Sequence, residues 1–142
     1  MSDFIDTEVE QAEVLDYDYY GLKVYQIGNK EYAVGTDAEC NEAVEKYIEN
    51  TLWAFNTDFI NDQLGLDLDE DGVKSLQTMQ SQCCESCNTF FRRLIGDKFD
   101  DFVEAAVYAD GRGHFLASYD GEEIDSDDVD GLPKGLIAYR IN

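Results

Sequence analysis

Basic residues are scarce in this chain: ten Lys plus Arg stand against 32 Asp plus Glu, a net charge of −22 over 142 residues. Without a basic patch it has no electrostatic footprint for binding a nucleic-acid backbone directly. It lacks any apolar run long enough for a membrane span. The stretch 1–20 is acidic from the start, unlike the basic and then apolar beginning of a secretory signal. There is a single histidine, no phosphate-cradling glycine loop and no internal repeat. Its neighbours Ser118 and Asp120 lie four and six positions along the same expected strand as His114, too spread out for a local catalytic triad.

What the chain does have is aromatic and apolar: eight Phe, nine Tyr and one Trp, with 44% hydrophobic residues overall. That content can fill a core, which sets the chain apart from the disordered polypeptides that usually carry so much charge. A folded domain of this length is about 37 Å across. Duplex DNA carries one charge per ~1.7 Å, hence ~22 charges over that span. The net charge is therefore that of a duplex segment of the protein's own size. A uniformly acidic coat would serve solubility alone, whereas carboxylates in rows on rigid elements can imitate a nucleic acid and clustered ones can bind cations.

The pattern predicts an α+β fold: an antiparallel sheet of about four strands, from an N-terminal hairpin and a C-terminal strand pair, packed against three or four helices. Residues 1–18 hold seven acids and no base and are expected to be an acidic tail or marginal helix, with 19–142 forming one domain. Two β-rich runs, 22–27 and 31–34, flank Gly28-Asn29-Lys30 as in a hairpin. Thr36 and Glu39 match a capping box opening a helix whose apolar stripe runs from Cys40 to Phe55. Asn56 is positioned to cap a short helix, and one long helix is expected from Val73 to Leu94, stopped by Gly96. A further helix runs from Phe99 to Val107. Strands are expected at 114–119 and 136–141, separated by an acidic loop.

Metal chemistry has two candidates. Asp67, Asp69, Asp71 and Gly72 open like a calcium loop, but Thr78 stands where the bidentate Glu belongs, so an acidic helix start is the preferred reading. Cys83, Cys84 and Cys87 contain C-x-x-C, which Cys40 and His114 would have to complete as a zinc site. All three fall on the apolar face of the expected long helix, so core packing of free thiols is preferred. No cofactor is expected.

Four stretches, Tyr32–Asp37, Leu52–Asn56, Gly111–Glu123 and Tyr139–Asn142, together resemble a family of small tailed-bacteriophage accessory proteins. Within them the run G-R-G-H-F-L-A-S-Y-D-G-E-E is the most specific part. The resemblance implies phage origin and action in the host bacterial cytoplasm, and it carries over no catalytic residue. A second likeness, of size and charge alone, is to phage inhibitors of restriction and CRISPR systems that mimic DNA.

The expectation is therefore a non-enzymatic, phage-encoded inhibitor whose partner is the basic surface of a host nucleic-acid-binding or defence protein, with oligomeric state left open. The phosphate-like charge is expected from Glu39, Glu42, Glu45 and Glu49, from Asp97, Asp100, Asp101 and Glu104, and from Asp120, Glu122, Glu123, Asp125, Asp127, Asp128 and Asp130. The alternatives are a metal-binding or enzymatic protein using the Cys83–Cys87 cluster, and a phage structural or assembly protein.

Overall fold

The computed structural model describes residues 12–142. It is an α+β protein with a five-stranded antiparallel sheet in the order β1-β2-β3-β5-β4. Its strands are β1 (Glu13–Tyr19), β2 (Leu22–Ile27), β3 (Lys30–Gly35), β4 (Glu123–Asp125) and β5 (Ile137–Arg140), and its helices are α1 (Asp37–Asn50), α2 (Thr57–Leu64), α3 (Glu70–Cys83), α4 (Cys87–Ile95), α5 (Phe99–Asp110) and α6 (Arg112–Leu116). Contacts group the described residues into two compact units, one of residues 12–44 with Asp110–Asn142 and one of Glu45–Ala109.

The first unit holds the sheet. The Gly28-Asn29 connection makes the expected β2–β3 hairpin, Gly28 taking the positive φ of 60° that its first turn position needs. Part of the expected tail is a fifth strand: residues 13–19 pair with β2, while residues 1–11 lie outside the described residues. A two-residue turn joins β1 to β2, with positive φ at both Tyr20 and Gly21 and the Asp18 carboxylate accepting from the Gly21 N–H at 2.8 Å. Tyrosine is an uncommon left-handed residue, which is why composition hides this turn. β1 is an edge, and its acids Glu13, Asp16 and Asp18 guard it against further strand pairing.

Both sheet faces are covered. Leu22, Val24, Ala33 and Tyr139 alternate onto one face with their cross-strand partners and are buried, as are Cys40, Ala43 and Val44 of α1. On the other face Tyr32, Val34 and Ala138 pack with Leu132, Val129 and Leu136 from the β4–β5 connection. The stretch expected to be a bare acidic loop thus supplies a strand, a 3-10 turn and a small core.

The expected strand at 114–119 is instead α6 and a turn. Phe115, Leu116 and Ala117 are buried in succession, which alternation would forbid. Gly113 is the reason: a Cβ there would stand 2.7 Å from both the Glu123 nitrogen and the Gly121 oxygen. Lacking one, the helix backbone lies directly on the 121–123 backbone.

In the second unit, the Asn56 side chain accepts from the Phe59 N–H at 3.1 Å, and Asp69 caps α3 by accepting from Gly72 N–H at 2.8 Å. The single long helix expected from Val73 to Leu94 is two helices. It breaks at Cys84, where φ is 48° and ψ −128°, and restarts after a 3-10 turn. On a straight helix Gln80 and Asn88 would lie about 12 Å apart along the axis. Across the break both reach Trp53, Gln80 donating to its carbonyl at 2.9 Å and Asn88 accepting from its N–H at 3.0 Å. As a result Cys87 alone of the three clustered cysteines is buried, and Cys83 and Cys84 are exposed rather than in the core.

Candidate functional site: acidic helix faces and an aromatic groove

The carboxylate rows are expected to act together, and the structure sorts them by what each already binds. On α1, the Thr36–Glu39 capping box forms as expected: Glu39 accepts from the Thr36 N–H at 2.9 Å and Thr36 Oγ1 accepts from the Glu39 N–H at 3.2 Å. Those bonds hold the Glu39 carboxyl below the usual carboxylate range and occupy it. Glu49 is paired with Arg92 at 3.0 Å. Among the described residues, no cation lies within ion-pair distance of Glu42 or Glu45; Glu42 is exposed and Glu45 half-buried.

Glu123 is already engaged, although its side chain stays 37% exposed. Arg112 Nε donates to its Oε1 at 2.9 Å and Nη2 to its Oε2 at 3.1 Å, and the Tyr139 hydroxyl donates to the same carboxylate. Burial opposes the charged form of Glu123, but the hydrogen bonds from Arg112 and Tyr139 outweigh it and hold the carboxyl below its ordinary range. Arg112 also reaches Asp37 Oδ1 at 3.0 Å and Asn41 Oδ1 at 2.9 Å. Burial and the Glu123 bond push the Tyr139 hydroxyl far up. The G-R-G…E-E run is thus self-locking: Gly113 allows the backbones to meet, Gly121 takes the positive φ of 74° in the turn, and Arg112 clamps Glu123.

The other acids of that stretch divide. Asp120 accepts from the Glu122 N–H at 3.0 Å and Asp127 from the Gly135 N–H at 2.8 Å, each fixing a turn. Glu122, Asp125, Asp128 and Asp130 are exposed.

Asp97 lies in the 3-10 turn before α5 rather than on the helix. Asp100, Asp101 and Glu104 are on α5, all exposed, and none has a cation within ion-pair distance among the described residues. The opposite face of α5 buries Phe99, Phe102 and Ala106. Phe102 packs against Phe55 and Phe59 with ring centroids 5.2 and 5.3 Å away, so the helix and its carboxylates are firmly held.

Within the same sector of α5 stands Tyr108, 93% exposed, which the charge pattern of the sequence does not single out. At 100° per residue, Asp100, Glu104, Tyr108 and Asp101 fall within an arc of about 100°. That helical spacing was the available signal. Together with Phe59 and Gln63 of α2, Asp101, Glu104 and Tyr108 line an open groove of about 530 Å³.

Nucleophilic or metal chemistry finds less support. Burial pushes the Cys40 and Cys87 thiols up, away from the reactive thiolate. Asp67, Asp69 and Asp71 belong to the start of α3, where Asp69 is the cap. Among the described residues, no group of three or more His, Cys, Asp or Glu is placed to hold a metal ion, and no buried side-chain polar atom lacks a partner. His114 is exposed on α6 beside Phe115. A second cleft, about 340 Å³, runs beside Trp53, Thr57 and Gln80, but the Gln80 amide is committed to Trp53 O, Phe55 O and the Thr57 hydroxyl. Among the described residues, no helix is long and apolar enough to cross a membrane.

No protein-family model, curated protein or solved structure matches the chain.

Proposed function

We propose that this chain is a phage-encoded, non-enzymatic inhibitor, acting in the host bacterial cytoplasm, that occupies the basic groove of a host nucleic-acid-handling or defence protein in place of DNA or RNA. The observation that carries the reading is the outward sector of α5: Asp100, Asp101 and Glu104 are exposed and without an ion-pair partner among the described residues, on a helix fixed from behind by Phe99 and Phe102. Carboxylates held at helical spacing meet several Lys or Arg together with little ordering cost. Glu42, Glu45 and the exposed acids Glu122, Asp125, Asp128 and Asp130 extend the same character. Glu39, Glu49 and Glu123 are left out because their charge is already engaged.

The experiment is capture of partners from a bacterial lysate with the full chain, followed by affinity measurements on the protein recovered. The reading expects a nucleic-acid-binding partner that DNA or RNA displaces, with affinity falling about tenfold or more between 50 and 300 mM salt. Neutralising α5 with Asp100→Asn, Asp101→Asn and Glu104→Gln should weaken binding while the melting temperature holds. An affinity that stays flat with salt, or a partner that is a virion component, defeats the reading.

A further inference from the structure

We propose that the groove between α2 and α5 receives an arginine side chain of the partner, its guanidinium lying on the Tyr108 ring and paired with Asp101 and Glu104; this deepens, and rests on, the reading of a basic partner given above. The fold makes no use of the Tyr108 ring, which is 93% exposed at the end of a helix whose other aromatics are buried. Across the groove the Phe59 ring is fixed by Phe55 at 5.8 Å and Phe102 at 5.3 Å. One wall is therefore rigid and the other is an open aromatic face beside two carboxylates.

The chain already shows twice what such a ring takes. Arg140 lies over Tyr119 at 3.6 Å, and Arg92 lies over Phe99 at 4.1 Å while also pairing with Glu49. Tyr108 has the aromatic face and the carboxylates of that second arrangement, but no cation of the described residues lies over it. Charge and shape both select arginine over lysine: a planar guanidinium stacks on a ring and shares its N–H donors with a carboxylate in one pose, whereas an ammonium is a strongly hydrated point charge.

The test titrates the isotopically labelled full chain with hexa-arginine and hexalysine peptides at one salt concentration, for the wild type and Tyr108→Ala. The variant removes a solvent-facing ring, and a matched melting curve checks that the fold is kept. The expected result is amide shifts centred on Phe59, Gln63, Asp101, Glu104 and Tyr108 with hexa-arginine. Tyr108→Ala should weaken that peptide about fivefold and hexalysine less than twofold. Shifts spread over all acidic residues alike, or equal losses for both peptides, overturn the inference. If a captured basic partner binds the wild type and Tyr108→Ala equally, the groove is refuted while nucleic-acid mimicry stands. If hexa-arginine seats in the groove but the captured partner shows no salt dependence, the arginine site stands and mimicry falls.

Discussion

Arg112 grips both carboxylate oxygens of Glu123, at 2.9 and 3.1 Å, across eleven residues of sequence and a helix-to-strand junction. The Arg112 side chain is 13% exposed and that of Glu123 37%. A bidentate pair with this much shielding exceeds an ordinary surface ion pair but remains below a fully buried one. Arg112→Met is expected to cost about 2–3 kcal/mol and Glu123→Gln about 1–2 kcal/mol, the difference reflecting the further bonds from Arg112 to Asp37 and Asn41. Urea unfolding of both single variants and the double variant checks this, with a coupling of about 1 kcal/mol expected between the two sites.

The same pair sets an acid response. The Glu123 carboxyl sits below its ordinary value of 4.5 in the folded protein. A depressed carboxylate contributes stability that is fully present above the unfolded value and lost as pH falls through the folded one. Arg112 stays charged throughout and adds nothing to the slope. The stability gap between wild type and Glu123→Gln should therefore be constant from pH 7 down to about 5 and close progressively below about 4.5. Because the amide introduced by Glu123→Gln cannot titrate, comparing the two proteins at each pH cancels the relief of general acidic repulsion. A gap that widened on acidification would contradict the assignment.

The sequence made local features legible and left long-range ones hidden. Thr36 with Glu39, Asn56 with Phe59, and the Gly28 turn each rest on residues a few positions apart, and all three form. The alternation of Phe115, Ala117 and Tyr119 misled because it reports which side chains are apolar, not that Gly113 meets the 121–123 backbone. The Cys84 break was hidden likewise, since apolar spacing continues through it while the polar anchors Gln80 and Asn88 both seek Trp53. For the site, helical patterning placed Asp100, Asp101 and Glu104 correctly on an outward face. It could not show that Glu49 and Glu123 are engaged by arginines 43 and 11 residues away.

Glycine substitutions separate two kinds of constraint in one motif. At Gly113 a Cβ would meet backbone atoms at 2.7 Å, which cannot rotate aside, so Gly113→Ala is expected to cost about 3 kcal/mol or more and to disturb the Arg112 clamp. Gly111 has open space around it, but its φ of 86° with ψ of 154° is a region essentially confined to glycine, so Gly111→Ala should cost about 2 kcal/mol of backbone strain and leave the Arg112 clamp in place. Chemical denaturation of the two variants side by side tests the ranking. Equal costs would mean that α6 shifts freely away from the 121–123 backbone.

Gln80 is 6% exposed and joins three elements of the second unit, donating at 2.9 Å to Trp53 O and 2.8 Å to Phe55 O while accepting from Thr57 at 2.6 Å. Gln80→Leu keeps the bulk but strands two carbonyls and a hydroxyl, an expected loss of about 2–4 kcal/mol. Because Trp53 is the single tryptophan, its fluorescence should report the change directly through altered quenching and an earlier urea transition. Gln80→Glu would keep the acceptor for Thr57 and remove both donations, and it should be at least as damaging.

A net charge of −22 on a folded chain must also act on stability, independently of any partner. The four ion pairs formed among the described residues engage Lys74, Arg92 and Arg112 with Glu70, Glu49, Asp37 and Glu123, leaving most carboxylates to repel one another. Screening shortens the range of that repulsion from about 30 Å at 0.01 M to about 8 Å at 0.15 M ionic strength, whereas the shielded Arg112–Glu123 contact is far less affected. The melting temperature should therefore rise by several degrees between 10 and 300 mM sodium chloride and then level off. Neutralising Asp100, Asp101 and Glu104 should flatten the dependence while leaving the melting temperature at moderate salt nearly unchanged, since the repulsion removed is set against the lost attraction of Asp100 and Asp101 to the N-terminus of α5. Calorimetry at matched protein concentration decides it. A melting temperature that fell with added salt would mean that the ion pairs, not the surplus acids, dominate the electrostatics of the fold.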